Sequence, residues 1–449
     1  MDFFFFETIL VKILWMKQLS TSFIFLLSIV FFLNVSAQNQ FTKSFYFGIK
    51  ANKNKGISID KPILYTNTLG YGFDFESAEN VIFKKNYISS KSSIYFSVKL
   101  PEGHYKIEVV LGGEKPSKTT VKAESRRLML KEITLGKNDE AQRLFTVNVR
   151  SPKINGTTHI KIKDRDKNQL NWDDKLTLEF SGNPTVQHIK IIPTSTVKIL
   201  FLAGDSTVTD QDLEPWASWG QFITNYFSNE VVIANYAESG ATLSSFKATN
   251  RLEKILSLLK PNDYVFIEFG HNDEKIKGEG NGAWGLYTNS LKEYITKFRE
   301  KGGIPVLVTP TQRRAFNDDG TLKPTHGDFP DAMRQVATNL QVPLIDLTIM
   351  TTYLYETWGD EPSRKAFVQY PANTFPGQTE KLEDNTHFNG FGANEIAKCV
   401  VQGIKDLNLD IAQYLNPNVP NYNPRNPDIF SSWTLPMSTR FENTKPDGN

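Results

Sequence analysis

The stretch FLAGDSTVTD, Phe201 to Asp210, decides the fold. Apolar residues run directly into Gly204-Asp205-Ser206-Thr207 in the middle of the chain. Gly, Asp and Ser make a polar turn after many strands; the alternative is that Ser206 is a nucleophile held at the C-terminal end of a strand. The surrounding segments discriminate. From Val197 onward the runs VKILFLA, VVIANY, DYVFIEF, IPVLVT and VPLIDL are apolar throughout, the pattern of strands buried on both faces. Helical periods lie between and after them: Leu252, Ile255, Leu256 and Leu259; Leu291, Tyr294, Ile295 and Phe298; and a last set at Ile396, Val400, Ile404 and Leu407. Strand alternating with helix predicts a three-layer α/β/α unit with a parallel sheet over residues 196–412.

Outward from this core the texture changes. Residues 41–193 alternate with period two. HYKIEVVL puts Tyr105, Ile107 and Val109 on one face, LFTVNV does so with Phe145, Val147 and Val149, KLTLEF with Leu176, Leu178 and Phe180, and HIKII with Ile189 and Ile191. With turn residues between the runs, this predicts an all-β sandwich of antiparallel strands, a jelly roll, ahead of the α/β unit. Its role is either a carbohydrate-binding accessory module or a structural partner. Residues 413–449 are rich in Pro and Asn, as in NPNVPNYNPRNPDIF, and form a tail with no helix or strand pattern. At the other end, Met16 opens a lysine, an apolar run and Val35-Ser36-Ala37, the layout of a secretory signal over residues 1–37 whose true start is a candidate Met16. A retained anchor is the alternative, but Phe23 to Leu33 is short for a span. The expectation is a secreted or periplasmic protein with no membrane attachment after cleavage.

Composition narrows the classes. Lys+Arg 51 against Asp+Glu 49 leaves a net charge of +2, with no basic surplus for nucleic acid. The single cysteine, Cys399, excludes an intrachain disulfide and any multi-Cys zinc site. Gly280 to Gly285 spells G-x-G-x-x-G, but it lies in a loop well after a strand, not directly on one. No metal site and no organic cofactor is expected.

In a parallel sheet, ligands bind where strands end. After the first strand comes Gly204-Asp205-Ser206, after the second ESGAT with Gly240, after the third GHND from Gly270 to Asp273, and beyond the fifth DNTHFNGFG with Asp384 and His387. A serine hydroxyl needs a base to take its proton, and His387 is the residue type suited to that near neutral pH. Asp384, three residues earlier, can fix the imidazole tautomer. The oxyanion needs donors aimed in advance; the N–H groups of Ser206 and Gly240 and the Asn272 amide are candidates.

These four blocks, in this order, resemble the SGNH (GDSL-type) hydrolases, and the resemblance runs from Val197 to Leu409. It implies a flavodoxin-like fold with Ser206 as nucleophile, Asp384 and His387 completing the triad, and Gly240 and Asn272 completing the oxyanion hole with Ser206. Within that family FGHND, VTPTQRR and DNTHFNGFGA look most like the rhamnogalacturonan acetylesterases and their pectin-deacetylating relatives, which remove O-acetyl groups from galacturonic acid residues. The resemblance thus implies an acetylated plant cell-wall polysaccharide or oligosaccharide as partner and suits a galactose-binding-like sandwich. Glu238-Ser239 before Gly240 departs from the family pattern. The rival readings are an SGNH esterase acting on acetyl-xylan, another acetylated glycan or a lipid, and a catalytically silent polysaccharide-binding protein. Trp216, Trp219 and Trp284 are each either a substrate contact, since aromatic faces can stack on sugars, or a buried residue of the domain core. His271 is either structural or a substrate contact, and Arg313 or Arg314 is a candidate partner for a uronate carboxylate.

Overall fold

A computed structural model describes residues 42–448; the expected signal segment, residues 1–37, lies outside them. Five parallel strands form the central sheet: β1 (Lys198–Gly204), β2 (Val231–Asn235), β3 (Tyr264–Glu268), β4 (Ile304–Val308) and β5 (Leu344–Ile345). Their order is β2-β1-β3-β4-β5, so β1 pairs with β2 on one side and β3 on the other. That reversal of direction opens a crevice at the C-terminal end of β1, the general ligand position of open parallel sheets.

Alternation along β1 supplies both faces. Leu200 and Leu202 enter one core with helices α5 (Leu347–Trp358) and α6 (Gly390–Asp406). Ile199, Phe201 and Ala203 enter the other with α1 (Leu243–Ala248), α2 (Arg251–Leu258), α3 (Thr288–Glu300) and α4 (Phe329–Leu340). Cys399 is fully buried on α6. An antiparallel pair, β6 (Phe367–Tyr370) and β7 (Leu382–Phe388), precedes α6.

The N-terminal half consists of two sheets around one core. The first runs Glu140–Val149, Gly103–Gly112, Thr185–Thr194, Lys43–Phe47, Ile57–Ile59; the second runs Tyr71–Asp74, Ile94–Lys99, Lys175–Asn183, Ser117–Ala123, Arg127–Leu135. All pairs are antiparallel except Lys43–Phe47 with Ile57–Ile59, which is parallel. Tyr105, Ile107, Val109, Phe145, Val147, Leu176, Leu178, Ile189 and Ile191 all point into this core. Phe96 of one sheet meets Phe45 and Phe47 of the other edge-on, at centroid distances of 5.1 and 5.2 Å.

The two halves are joined by buried charge. Arg127 Nε and Arg150 donate to Asp210 Oδ2 at 2.8 and 2.9 Å, while Asn235 Nδ2 donates to Asp210 Oδ1 at 2.8 Å. Arg126 pairs with Glu214 at 2.5 Å and donates to the Trp216 carbonyl at 2.7 Å. Asp210 and Glu214 lie on the loop that follows Ser206, so the sandwich grips the segment leaving the nucleophile. Paired in this way the buried ions hold; removing one partner strands the other away from water.

Beyond Tyr414 the chain forms a strap across both halves. Trp433 packs on Phe391 and Phe222. Lys122 donates to the Pro436 carbonyl at 3.0 Å, and Glu214 exchanges backbone hydrogen bonds with Arg440 and Glu442. The last described residues, Lys445 to Gly448, reach the ends of β1 and β3, as detailed below.

Candidate active site

The turn after β1 is fixed by its own residues. Asp205 Oδ1 accepts from Thr207 N at 3.0 Å and Thr207 Oγ1 at 2.9 Å. A Cβ on Gly204 would stand 2.5 Å from Val208 Cγ2 and 2.9 Å from the Glu268 carbonyl, so only glycine lets the turn fold this tightly. Beneath it Glu268, at the end of β3, accepts from Trp219 Nε1 at 2.5 Å and Thr311 N at 3.3 Å, and its Oε1 lies 3.1 Å from Thr207 Oγ1, whose one hydrogen goes to Asp205. Burial pushes the Glu268 carboxyl up to about 8, and the charge of Asp205 adds to the rise.

On this turn Ser206 Oγ lies 2.8 Å from His387 Nε2, and His387 Nδ1 lies 2.8 Å from Asp384 Oδ2. The DNTH segment belongs to strand β7 and not to a loop. Asp384 Oδ1 accepts from the backbone N–H of Thr386 at 2.7 Å and of His387 at 2.9 Å, which turns the strand so that the two side chains meet. Burial would raise the Asp384 carboxyl; the hydrogen bond from the His387 ring, its charge and these two N–H groups outweigh it and hold the group well below the usual carboxylate range. Asn389 then caps α6, accepting from Phe391 N and Gly392 N.

The three expected oxyanion donors follow the ends of β1, β2 and β3. Gly240, in the loop after β2, has φ +77°, a backbone conformation that favours glycine. The N–H groups of Ser206 and Gly240 have no hydrogen-bond partner among the described residues. Asn272 Nδ2 donates one hydrogen to the Ala241 carbonyl at 3.1 Å, and Lys275 donates to Asn272 Oδ1 at 3.2 Å, which fixes the amide and leaves its second N–H. The unusual Glu238 before this glycine is an internal anchor: it pairs with Arg251 at 2.8 Å, and Arg251 also donates to the Tyr236 carbonyl at 3.0 Å.

The expected substrate contacts divide. Trp216 stands edge-on to His387, with centroids 5.9 Å apart, and lines a cavity beside the site. Trp219 is corrected: it is fully buried and its Nε1 is committed to Glu268. His271 is likewise buried, with Nδ1 3.5 Å from Asp205 Oδ2, and burial lowers it to about 4. Arg314 is taken by Asp360 and Ser363 and is buried, and Arg313 is paired with Glu274 at 2.6 Å, so neither offers its fork to a ligand. Trp284 is exposed and donates to Asp328 at 3.0 Å, with no ring contact or hydrogen bond to the triad.

Sequence reasoning missed several groups around the site. Glu268 had a signal, an acid closing an otherwise apolar strand in DYVFIEF. Asp210 had none beyond its place after Ser206. Lys163, Arg165, Lys445 and Asp447 approach from segments distant in sequence, and nothing local marks them.

Residues 202–393 match the model of the GDSL-like lipase/acylhydrolase family. The chain is 42% identical over 218 residues to rhamnogalacturonan acetylesterase RhgT of Bacillus subtilis (strain 168), covering 48% of this chain and 93% of that one. It is 36% identical over 220 residues to the probable rhamnogalacturonan acetylesterase YesY of the same organism, covering 48% and 95%. The uncharacterized esterase YxiM, also from B. subtilis, is 24% identical over 412 residues, covering 87% and 98%. Its crystal structure superposes with a TM-score of 0.45 at 23% identity, covering 82% of this chain and 99% of that one. With nearly the whole of two relatives matched above 30% identity, the chain belongs to the GDSL-like lipase/acylhydrolase family of carboxylic ester hydrolases.

Proposed function

We propose that this protein is a secreted carbohydrate esterase that removes O-acetyl groups from a pectic, rhamnogalacturonan-type polysaccharide. The observation that carries the reading is the unbroken relay from Ser206 Oγ through His387 to Asp384, with 2.8 Å at each step. The acetyl specificity is drawn from relatives named rhamnogalacturonan acetylesterases. In this reading residues 1–37 are a cleaved signal, 41–193 a jelly-roll accessory sandwich, 196–412 the hydrolase unit and 413–449 the strap.

The chemistry follows from the geometry. Ser206 Oγ attacks the acetyl carbonyl carbon as its proton passes to His387 Nε2. The imidazolium is stabilised by Asp384, which stays ionised. Negative charge on the former carbonyl oxygen is met by the N–H of Ser206, the N–H of Gly240 and the remaining amide hydrogen of Asn272. Collapse breaks the bond to the sugar oxygen, which leaves with the proton from His387. Water then gives a proton to the same ring and attacks the acetyl-enzyme; collapse breaks the bond to Ser206 Oγ, which takes that proton back from His387 as acetate is released. Every proton and electron pair in the cycle is carried by these side chains, the sugar and water.

The test is acetate release from acetylated rhamnogalacturonan, acetylated homogalacturonan and acetyl-xylan, with Ser206→Ala beside the wild type. Release from a pectic polymer by wild type alone supports the reading. Release from xylan alone moves the substrate, and equal release by Ser206→Ala removes the serine from the chemistry.

A further inference from the structure

We propose that Lys163 and Arg165 form a subsite for a substrate carboxylate, and that Asp447 of the strap occupies it as an internal stand-in. The inference rests on the esterase reading above and adds the residues that select an anionic sugar. Each oxygen of Asp447 meets one cation: Oδ1 lies 2.8 Å from Arg165 and Oδ2 lies 3.2 Å from Lys163 Nζ. Lys163 is itself held in place by donating to the Ser239 carbonyl at 2.5 Å, one residue before Gly240. A Cβ built on Gly240 would stand 3.3 Å from Lys163 Nζ and 2.8 Å from Asp447 Cβ. A carboxylate is thus bound immediately beside the oxyanion donors.

The neighbouring strap residues complete the likeness to a substrate. A Cβ on Gly448 would lie 2.6 Å from Asn272 Oδ1 and 2.9 Å from Gly240 Cα, so Gly448 fills the space between those two groups. Its carbonyl accepts from Lys275, and Lys445 Nζ lies 3.2 Å from Asp384 Oδ2. Under this cover Ser206 is only 2% exposed. An acetylated uronic acid carries ester and carboxylate on one ring. Placing the ester carbonyl where Gly448 sits and the carboxylate where Asp447 sits spans one sugar residue, just as the strap spans it with adjacent amino acids. Next to this position lies a cavity of about 180 Å³ lined by Arg165, Gln169, Gln211, Trp216 and Ser239, open space for the ring and its neighbour.

Exposure separates this pair of cations from Arg313 and Arg314. The side chain of Arg314 is 5% exposed, whereas Lys163, Arg165 and Asp447 are 33%, 29% and 42% exposed. Ion pairs that water reaches are weak and exchangeable. An anionic sugar replaces Asp447 in kind, and a neutral one cannot; the strap thereby favours substrates that bring their own carboxylate.

The experiment uses the full chain, p-nitrophenyl acetate as a neutral ester, and digalacturonic acid or galactobiose as competitor. Wild type is expected to be inhibited by digalacturonic acid and not by galactobiose. Asp447→Asn should raise turnover of the neutral ester and tighten digalacturonate inhibition, each about two- to fivefold. Lys163→Gln/Arg165→Gln should also release the strap and raise neutral-ester turnover, yet weaken digalacturonate inhibition about tenfold or more. Arg165→Lys should retain part of the inhibition, which separates charge recognition from a folding defect. Unchanged digalacturonate inhibition in the double variant, or equal inhibition by galactobiose, overturns the subsite. This assay needs only the serine chemistry, so failure to deacetylate a pectic polymer strikes the proposed function while leaving the subsite to stand or fall on its own.

Discussion

The floor of the cleft and its roof are held in contrasting ways. The floor, Gly204 to Val208 with Glu268 beneath, is buried and richly hydrogen-bonded, and the sandwich clamps the loop that leaves it through Arg127, Arg150 and Asp210. The roof, Lys445 to Gly448, belongs to no helix or strand and is tied down through ion pairs at 29% to 42% exposure around Asp447. Catalysis needs groups fixed before the substrate arrives, and the floor meets that need. Admission of a polymer needs a cover that can be displaced, and weak, wet ion pairs meet that one. The difference teaches that reactivity and selectivity are assigned here to parts of unlike stability.

Breaking the floor should have the largest effects. His387→Ala should reduce turnover about 10⁴-fold or more, since among the described residues His387 alone is hydrogen-bonded to Ser206 Oγ, while far-ultraviolet circular dichroism stays that of the wild type; wild-type-like rates would remove His387 from the relay. Next, Asp210→Ala should cost about 3–5 kcal/mol in urea unfolding, because Arg127 and Arg150 are then buried without their common partner; a loss under 1 kcal/mol would mean the clamp is not what joins the halves. Asn272→Ala should lower kcat about 10²–10³-fold through loss of one oxyanion donor, and a loss under threefold would count against that role.

A smaller effect sharpens the contrast through pH. Glu268 has an ordinary carboxyl value of 4.5 and is pushed up to about 8 in the fold. Between these values the folded state binds a proton that the unfolded chain has lost. The stability this group contributes is therefore full at low pH and declines as pH rises through that window. Glu268→Gln should flatten the fall in melting temperature between pH 5 and pH 8, and an unchanged slope would show that Glu268 does not hold the proton.

Much of the floor was legible in the sequence because its signals are local. Apolar runs bounded by turn residues marked β1 to β5, and the D-x-x-H spacing tied Asp384 to His387 within one turn. Even so, nothing in that spacing announces strand β7, which the Asp384 side chain bends around the pair. The misplaced residues share a cause. Trp219 and Arg314 looked like ligands for sugar and carboxylate, but each had found an internal partner, Glu268 and Asp360, that no spacing rule connects to it. Glu238 looked like a departure from pattern until Arg251 appeared opposite it. The roof was illegible for the same reason carried further: Lys163 and Asp447 are separated by 284 positions, and a Pro- and Asn-rich tail has no periodicity from which to read a destination.

The most direct measurement of the account is labelling with a serine-directed phosphonate, followed by mass-spectrometric mapping of the adduct. A reactive floor under an exchangeable roof predicts one adduct, on Ser206, formed faster in Asp447→Asn and absent in His387→Ala. An adduct on another residue, or labelling of His387→Ala at the wild-type rate, would contradict it.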